Sequence, residues 1–191
     1  MFRIVILTGI LLALASPLAA QTTDGEYYDA FSPSMASVVK SMYATIRRNL
    51  TEAAQAMSEE EYAYKPTPQV RSFGEIVSHV AAGNLLFCSQ AKGEVPKFPP
   101  NMMSMTKKAD VVKLLNDALT YCDSAYADTT EQNFGTVMKV MGSKPSEATR
   151  GAILFFNTTH NNEHYGNIVV YMRLKGHVPP STARAEASTK P

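Results

Sequence analysis

The chain has 191 residues, with 18 Lys+Arg against 17 Asp+Glu, two Cys, no Trp and 45% hydrophobic residues. Without its first twenty residues, whose one charge is Arg3, it carries 17 basic and 17 acidic side chains and is still roughly 42% apolar. That composition excludes a disordered chain. It also leaves no basic excess with which to bind nucleic acid or an anionic membrane.

Residues 1–20 read as an export signal. Arg3 supplies the positive end, Ile4 to Ala15 the apolar stretch, Pro17 the break, and Ala19–Ala20 the small residues before Gln21. The alternative, an uncleaved anchor, needs about 20 apolar residues, more than this stretch offers. The expectation is a cleaved signal and a periplasmic or secreted bacterial protein, off the membrane once the signal is removed. Residues 21–34 form a polar lead-in.

Four amphipathic segments follow. The first, from Met35 to Met57, places Met35, Val39, Met42, Ile46, Leu50, Ala53 and Met57 on one stripe at three- and four-residue steps. Pro66 and Pro68 break the linker after it. The second opens at Ser72, where Ser72-Phe-Gly-Glu75 has the form of a capping box, and runs to about Gly93. Its stripe is Ile76, His79, Val80, Gly83, Leu86 and Phe87, with Gly83 leaving open volume one turn from His79. The connection EVPKFPPNMMSM carries three prolines and is long enough for a crossover.

The third segment spans Lys107 to Ala127, with Val111, Leu114, Leu115, Ala118, Cys122 and Ala125 on one face. Residues 128–148 are less regular; 133–142 alternate weakly, as a short extended piece would. The fourth segment, Glu147 to Lys175, ends at Gly176, where a left-handed cap belongs, with Pro179-Pro180 beyond. Residues 181–191 are small and polar, so a disordered tail is expected. Four helices over residues 35–180, with a long connection between the second and third, predict an all-α four-helix bundle.

Two cysteines in an exported protein, Cys88 and Cys122, read either as one disulfide or as two small buried apolar residues. Their surroundings fit no zinc-finger spacing.

The fourth segment holds Phe156-Asn-Thr-Thr-His160-Asn-Asn-Glu-His164-Tyr-Gly-Asn-Ile168. At ~100° per residue, His160 and His164 lie about 40° apart on the stripe shared by Ile153, Phe156, Asn157, Asn167, Ile168 and Tyr171. Buried imidazoles need partners. Each either hydrogen-bonds another core group, or the pair joins His79, on the stripe of the second segment, around one divalent metal. Zinc suits three imidazoles first, with nickel, iron or manganese as alternatives. The fourth histidine, His177, follows Gly176 and reads as a surface residue. HNNEH also matches the H-x-x-E-H form of inverted zinc peptidases. Those enzymes take a third ligand from a Glu far downstream, whereas the Glu after His164 here, Glu186, lies in the tail.

With S-F-G-E-I-V-S-His79 and His160-x-x-x-His164-Tyr-Gly-Asn-Ile-Val-Val-Tyr-Met-Arg-Leu-Lys-Gly-His-Val-Pro-Pro on the page, the chain resembles the DinB-like superfamily, also known as YfiT-like metal-dependent hydrolases, from about Met35 to Pro180. The resemblance implies a four-helix bundle with a long second connection. It also implies a divalent metal on His79, His160 and His164, and a homodimer. Relatives include thiol S-transferases and a thiol-dependent isomerase, so it further implies hydrolase or transferase chemistry on a small molecule not specified by the sequence. Export sets this chain apart, because low-molecular-weight thiol cofactors are mainly cytoplasmic.

In the enzyme reading the metal acts as a Lewis acid. Glu163, Asn157 and Tyr171 are then the candidate catalytic side chains, and Asn161, Asn167 and Tyr43 candidate neighbours of the site. The other reading is a non-catalytic exported bundle that binds a metal or ligand. A fourth protein ligand would favour that one, and open positions on the metal the first.

Overall fold

The computed structural model describes residues 34–140 and 146–189. The expected export signal, residues 1–20, and the lead-in up to residue 33 lie outside the described residues. The first long helix, α1 (Met35–Ala56), starts where the Ser34 hydroxyl accepts the Ser37 N–H. Its buried face is Ala36, Val39, Tyr43, Ile46, Leu50 and Ala53. Met35, expected on that face, is exposed, and Tyr43 lies on it. A buried tyrosine needs a partner for its hydroxyl, and Tyr43 donates to the Leu119 carbonyl at 2.8 Å. A 3-10 turn (Glu60–Ala63) follows, with the Tyr62 ring buried under the next helix and its hydroxyl donating to the Ala54 carbonyl.

Helix α2 (Phe73–Lys92) has the expected capping box: Ser72 Oγ accepts the Glu75 N–H, and Glu75 accepts the Ser72 N–H. Such a cap contributes about 1 kcal/mol. Gly93 ends the helix at φ 74°, a conformation that favours glycine. Helix α3 (Lys108–Ala127) buries its predicted face in full. Near their C-terminal ends α2 and α3 lie side by side, since Lys92 reaches Ser124 and Cys88 meets Cys122. The two helices are therefore parallel, and the proline-rich connection, with a 3-10 turn at Met102–Ser104, is the crossover that this requires.

Cys88 and Cys122 form a disulfide across that pair, with Cα atoms 5.3 Å apart. Of the two sequence readings, the structure has the bridge.

A short helix α4 (Glu131–Phe134) leads into a hairpin. Strand β1 (Val137–Val140) pairs antiparallel with β2 (Ser146–Thr149), Val137 opposite Thr149 and Val140 opposite Ser146. The fourth long helix, expected from Glu147, therefore starts later, as α5 (Arg150–Leu174), with Thr149 capping the Ala152 N–H. It ends in a Schellman motif: His177 N–H bonds the Met172 carbonyl, Gly176 N–H the Arg173 carbonyl, and Gly176 has φ 80°.

Tyr43 meets the far part of α3, and Lys108 at its start meets Gln55 at the end of α1, so α1 and α3 are antiparallel. Tyr126, near the end of α3, bonds the Leu154 carbonyl near the start of α5. Tyr171, near the end of α5, bonds the Arg71 carbonyl just before α2. The four long helices thus run up, down, down, up around one core. The all-α architecture stands, with one small hairpin added.

The tail is corrected. Residues Pro180–Ser188 form helix α6 instead of a disordered segment. Proline at the first helical position and three alanines favour the helix. Pro180 is buried, Tyr165 and Ser181 share a hydrogen bond, and Arg184 reaches Glu52 and Asn49 on α1. Two ring-bearing anchors and one cation hold down a segment that composition alone marks as loose.

Candidate metal centre

The antiparallel α2–α5 seam carries the three histidines. His79 sits about a third of the way along α2, and His160 and His164 face it from consecutive turns of α5. The Nε2 atoms of His160 and His79 are 3.3 Å apart. One ligand nitrogen from each of the three lies within 4.8 Å of the others. Ring centroids are separated by 5.1 Å (His79–His160), 4.6 Å (His79–His164) and 4.5 Å (His160–His164).

Gly83 is what lets the rings come together. A Cβ there would fall 2.5 Å from His160 Cε1 and 2.9 Å from its Nδ1. The volume that Gly83 was expected to leave beside His79 is filled by the His160 ring.

Burial holds these imidazoles neutral. His160 is pushed down to about 4, first by desolvation and then by the charges His164 and His79 would carry. His79 is lowered by desolvation, then by Arg71 and by His164, with Glu163 opposing. His164, 9% exposed, is lowered mainly by desolvation, again against Glu163.

Two neutral Nε2 atoms 3.3 Å apart share at most one proton, and the buried Nδ1 of His160 has no hydrogen-bond partner. A cation resolves the crowding. Ligands about 2.0–2.1 Å from zinc at tetrahedral corners sit about 3.3–3.4 Å from one another, the separation seen between His79 and His160. Neutral imidazole nitrogens are also the donor type that zinc, nickel and iron accept. The residues fit a divalent metal.

The other candidate side chains are placed as follows. Glu163 is exposed on α5, near enough to His79 and His164 for its charge to act on both. Asn157 is fully buried; its amide donates to Asn84 Oδ1 and to the Tyr126 hydroxyl, and points at the disulfide sulfurs. Asn161 is equally buried, exchanging hydrogen bonds with Asn84. These asparagines form a polar layer inside the seam, behind the imidazoles. Asn84, next to Gly83, is its hub and was missed from the sequence. An amide immediately after a helix-packing glycine was the available signal.

Tyr171 donates to the Arg71 carbonyl at 2.7 Å. Tyr43 lies on the α1–α3 face, stacked on Tyr126 at 3.8 Å, away from the histidines. Asn157 is buried as expected, whereas Phe156 and Asn167, expected on the same face, are exposed, because α5 buries Thr158 and Asn161 beside Asn157 instead. His177, expected at the surface, pairs with Glu61 at 2.8 Å and ties the end of α5 to the turn after α1. Arg71, just before the α2 cap, lines a separate cleft of about 300 Å³ with Lys65, Pro68 and Met103.

The DinB family profile matches residues 35–190. The chain belongs to the DinB family. YjoA of Bacillus subtilis (strain 168) is 28% identical to this DinB protein over 135 residues, 68% of this chain and 84% of YjoA. A DinB-like protein from Bacillus cereus ATCC 10987 superposes with a TM-score of 0.61 at 14% identity, covering 72% of this chain and 91% of the other. The mycothiol-dependent maleylpyruvate isomerase superposes at 0.57 and 11% identity, over 70% of this chain and 60% of that one. At such identities the two structures speak for the fold alone. Within this DinB chain, the three histidines form a group that can hold a metal ion.

Proposed function

We propose that this DinB protein is a metal-dependent enzyme, a hydrolase or transferase acting on a small molecule, with one divalent ion on His79, His160 and His164. The supporting observation is the set of three neutral imidazoles meeting within 4.8 Å. Zinc is the first choice, with nickel, iron or manganese as alternatives. Closed structural zinc sites take four protein ligands. Among the described residues the group contains three, which favours open positions over a purely structural ion.

When bound, the metal supplies Lewis acidity. The chain's own residues then do two things. The two turns of α5 and the Gly83 notch hold the imidazoles in place. The exposed Glu163 carboxylate accepts or returns a proton at the mouth.

The protein is proposed to work outside the cytoplasm after cleavage near Gln21, as a monomer or homodimer. A Cys88–Cys122 bridge suits an oxidising compartment, and among the described residues no helix is long and apolar enough to cross a membrane. Metal analysis of the protein purified from the exported fraction tests the reading. One equivalent of metal in the wild type and none in the triple His→Ala variant is the expected result. Equal metal in both removes the site, and an intact Met1 in the membrane fraction removes the export.

A further inference from the structure

The polar layer behind the imidazoles also touches the disulfide. Cys88, Cys122, Asn84, Asn157 and Asn161 are all fully buried. Cys122 Sγ lies 3.3 Å from the Asn84 carbonyl oxygen and 3.4 Å from its Oδ1. Asn157 Nδ2 lies 3.7 Å from Cys88 Sγ and 3.9 Å from Cys122 Sγ. On its other side the layer meets the histidines. Asn157 stands one turn before His160 on α5 and Asn161 directly after it, and the His160 ring fills the notch at Gly83, next to Asn84.

Asn157 is the member of this layer that its neighbours do not need. Without its amide, Asn84 Oδ1 keeps the Asn161 N–H at 3.1 Å, and the Tyr126 hydroxyl keeps the Leu154 carbonyl at 2.9 Å. The Asn157 Oδ1 is itself buried without a partner, which disfavours the folded state. What the residue does accomplish is contact: it stands against both sulfurs and on the turn that carries His160.

Resting on the metal reading above, we propose that the Cys88–Cys122 bridge is a lock on the metal site: the disulfide form binds the ion more tightly than the dithiol form. A dithiol reductant breaks the S–S bond, supplies two electrons and two protons, one proton to each sulfur, and leaves as its own cyclic disulfide. The sulfurs must then part inside a buried layer, and each carries a proton that needs an acceptor. Asn84 Oδ1 is within reach of Cys122, but its two lone pairs already accept the Asn157 and Asn161 amides. A third donor displaces one of these, and both belong to the stretch of α5 that holds His160. The imidazole then loses its support against Gly83. The disulfide brings no donor and leaves the layer in place.

Redox titration of the full chain in dithiothreitol buffers, with and without a fixed saturating level of free zinc, tests this. Loss of the contacts that support a ligand lowers metal affinity about 10–100-fold. Binding and reduction are linked reciprocally. Zinc should therefore lower the midpoint potential of the cysteine pair by at least about 30 mV, the equivalent of tenfold. In Asn157→Leu that shift should shrink by more than about half. The folded Cys88→Ser, Cys122→Ser variant, which cannot form the bridge, should bind zinc at least about tenfold more weakly than the oxidised wild type. A midpoint that zinc leaves unchanged or raises overturns the proposal, as does equal zinc affinity in the serine variant. A full shift retained in Asn157→Leu reports global folding alone and overturns it too. Zinc bound by the wild type without a shift removes this inference only, whereas a wild type that takes up no zinc removes the metal reading and the lock with it.

Discussion

The α1–α3 face and the α2–α5 seam are both buried helix contacts, and they treat polar groups in opposite ways. On the α1–α3 face each named polar group is paired within the chain. Tyr43 stacks on Tyr126 and donates to the Leu119 carbonyl, and Arg47 meets Asp123 through two hydrogen bonds. Burial, and then Asp123, push the Tyr43 phenol far up, so it stays protonated and serves as a strut. In the α2–α5 seam the polar groups outnumber their partners. Asn84, Asn157 and Asn161 nearly satisfy one another, but the Asn157 Oδ1 and His160 Nδ1 atoms are buried without a bond. Unsatisfied buried groups of this kind cost about 1–3 kcal/mol each.

The sharpest way to break the comparison is to remove one imidazole. His160→Ala should lower metal affinity by at least about 100-fold, read as metal content after dialysis, whereas Tyr43→Phe on the other face should leave it unchanged. Comparable losses from both would abolish the distinction. The disulfide borders the polar layer and closes a separation of 34 residues. Cys88→Ser with Cys122→Ser should therefore lower stability by about 2–4 kcal/mol, measured by urea unfolding.

Gly83→Ala comes next. Its Cβ would meet the His160 ring, so metal affinity should drop about tenfold or more while far-UV circular dichroism stays native. The helix-propensity gain of Ala over Gly, about 1 kcal/mol, offsets part of the packing strain. Unchanged metal affinity would mean that the ring has another place to go.

The smallest expected effect is on pH dependence. In the metal-stripped protein all three histidines are harder to protonate folded than unfolded, where an imidazole titrates near 6.5. Below about pH 6.5 the unfolded chain takes up protons that the folded chain refuses. Stability is then full above that pH and falls as the pH drops toward the His160 value of about 4. Thermal melts of the chelated protein between pH 7 and 4 should show this slope, and the His79→Ala, His160→Ala, His164→Ala variant should flatten it.

Much of this was legible in the sequence because it depends on neighbours a few residues away. The capping box at Ser72 and Glu75, the left-handed stop at Gly176, the buried face of α3, and the one-turn spacing of His160 and His164 follow from helix geometry and local hydrogen bonding. So does the crossover length between α2 and α3. The rest required partners distant in the chain. Whether Cys88 meets Cys122 depends on α2 and α3 being parallel neighbours. Whether 181–188 is loose depends on Glu52 and Asn49 standing where Arg184 can reach them. Whether Phe156 faces inward beside Asn157 depends on Asn84 across the seam, because a buried amide layer inverts the apolar pattern by which a helix face is read. Gly83 shows the division most plainly: the sequence marks a missing side chain, and only the packing of α5 against α2 shows that the missing volume belongs to His160.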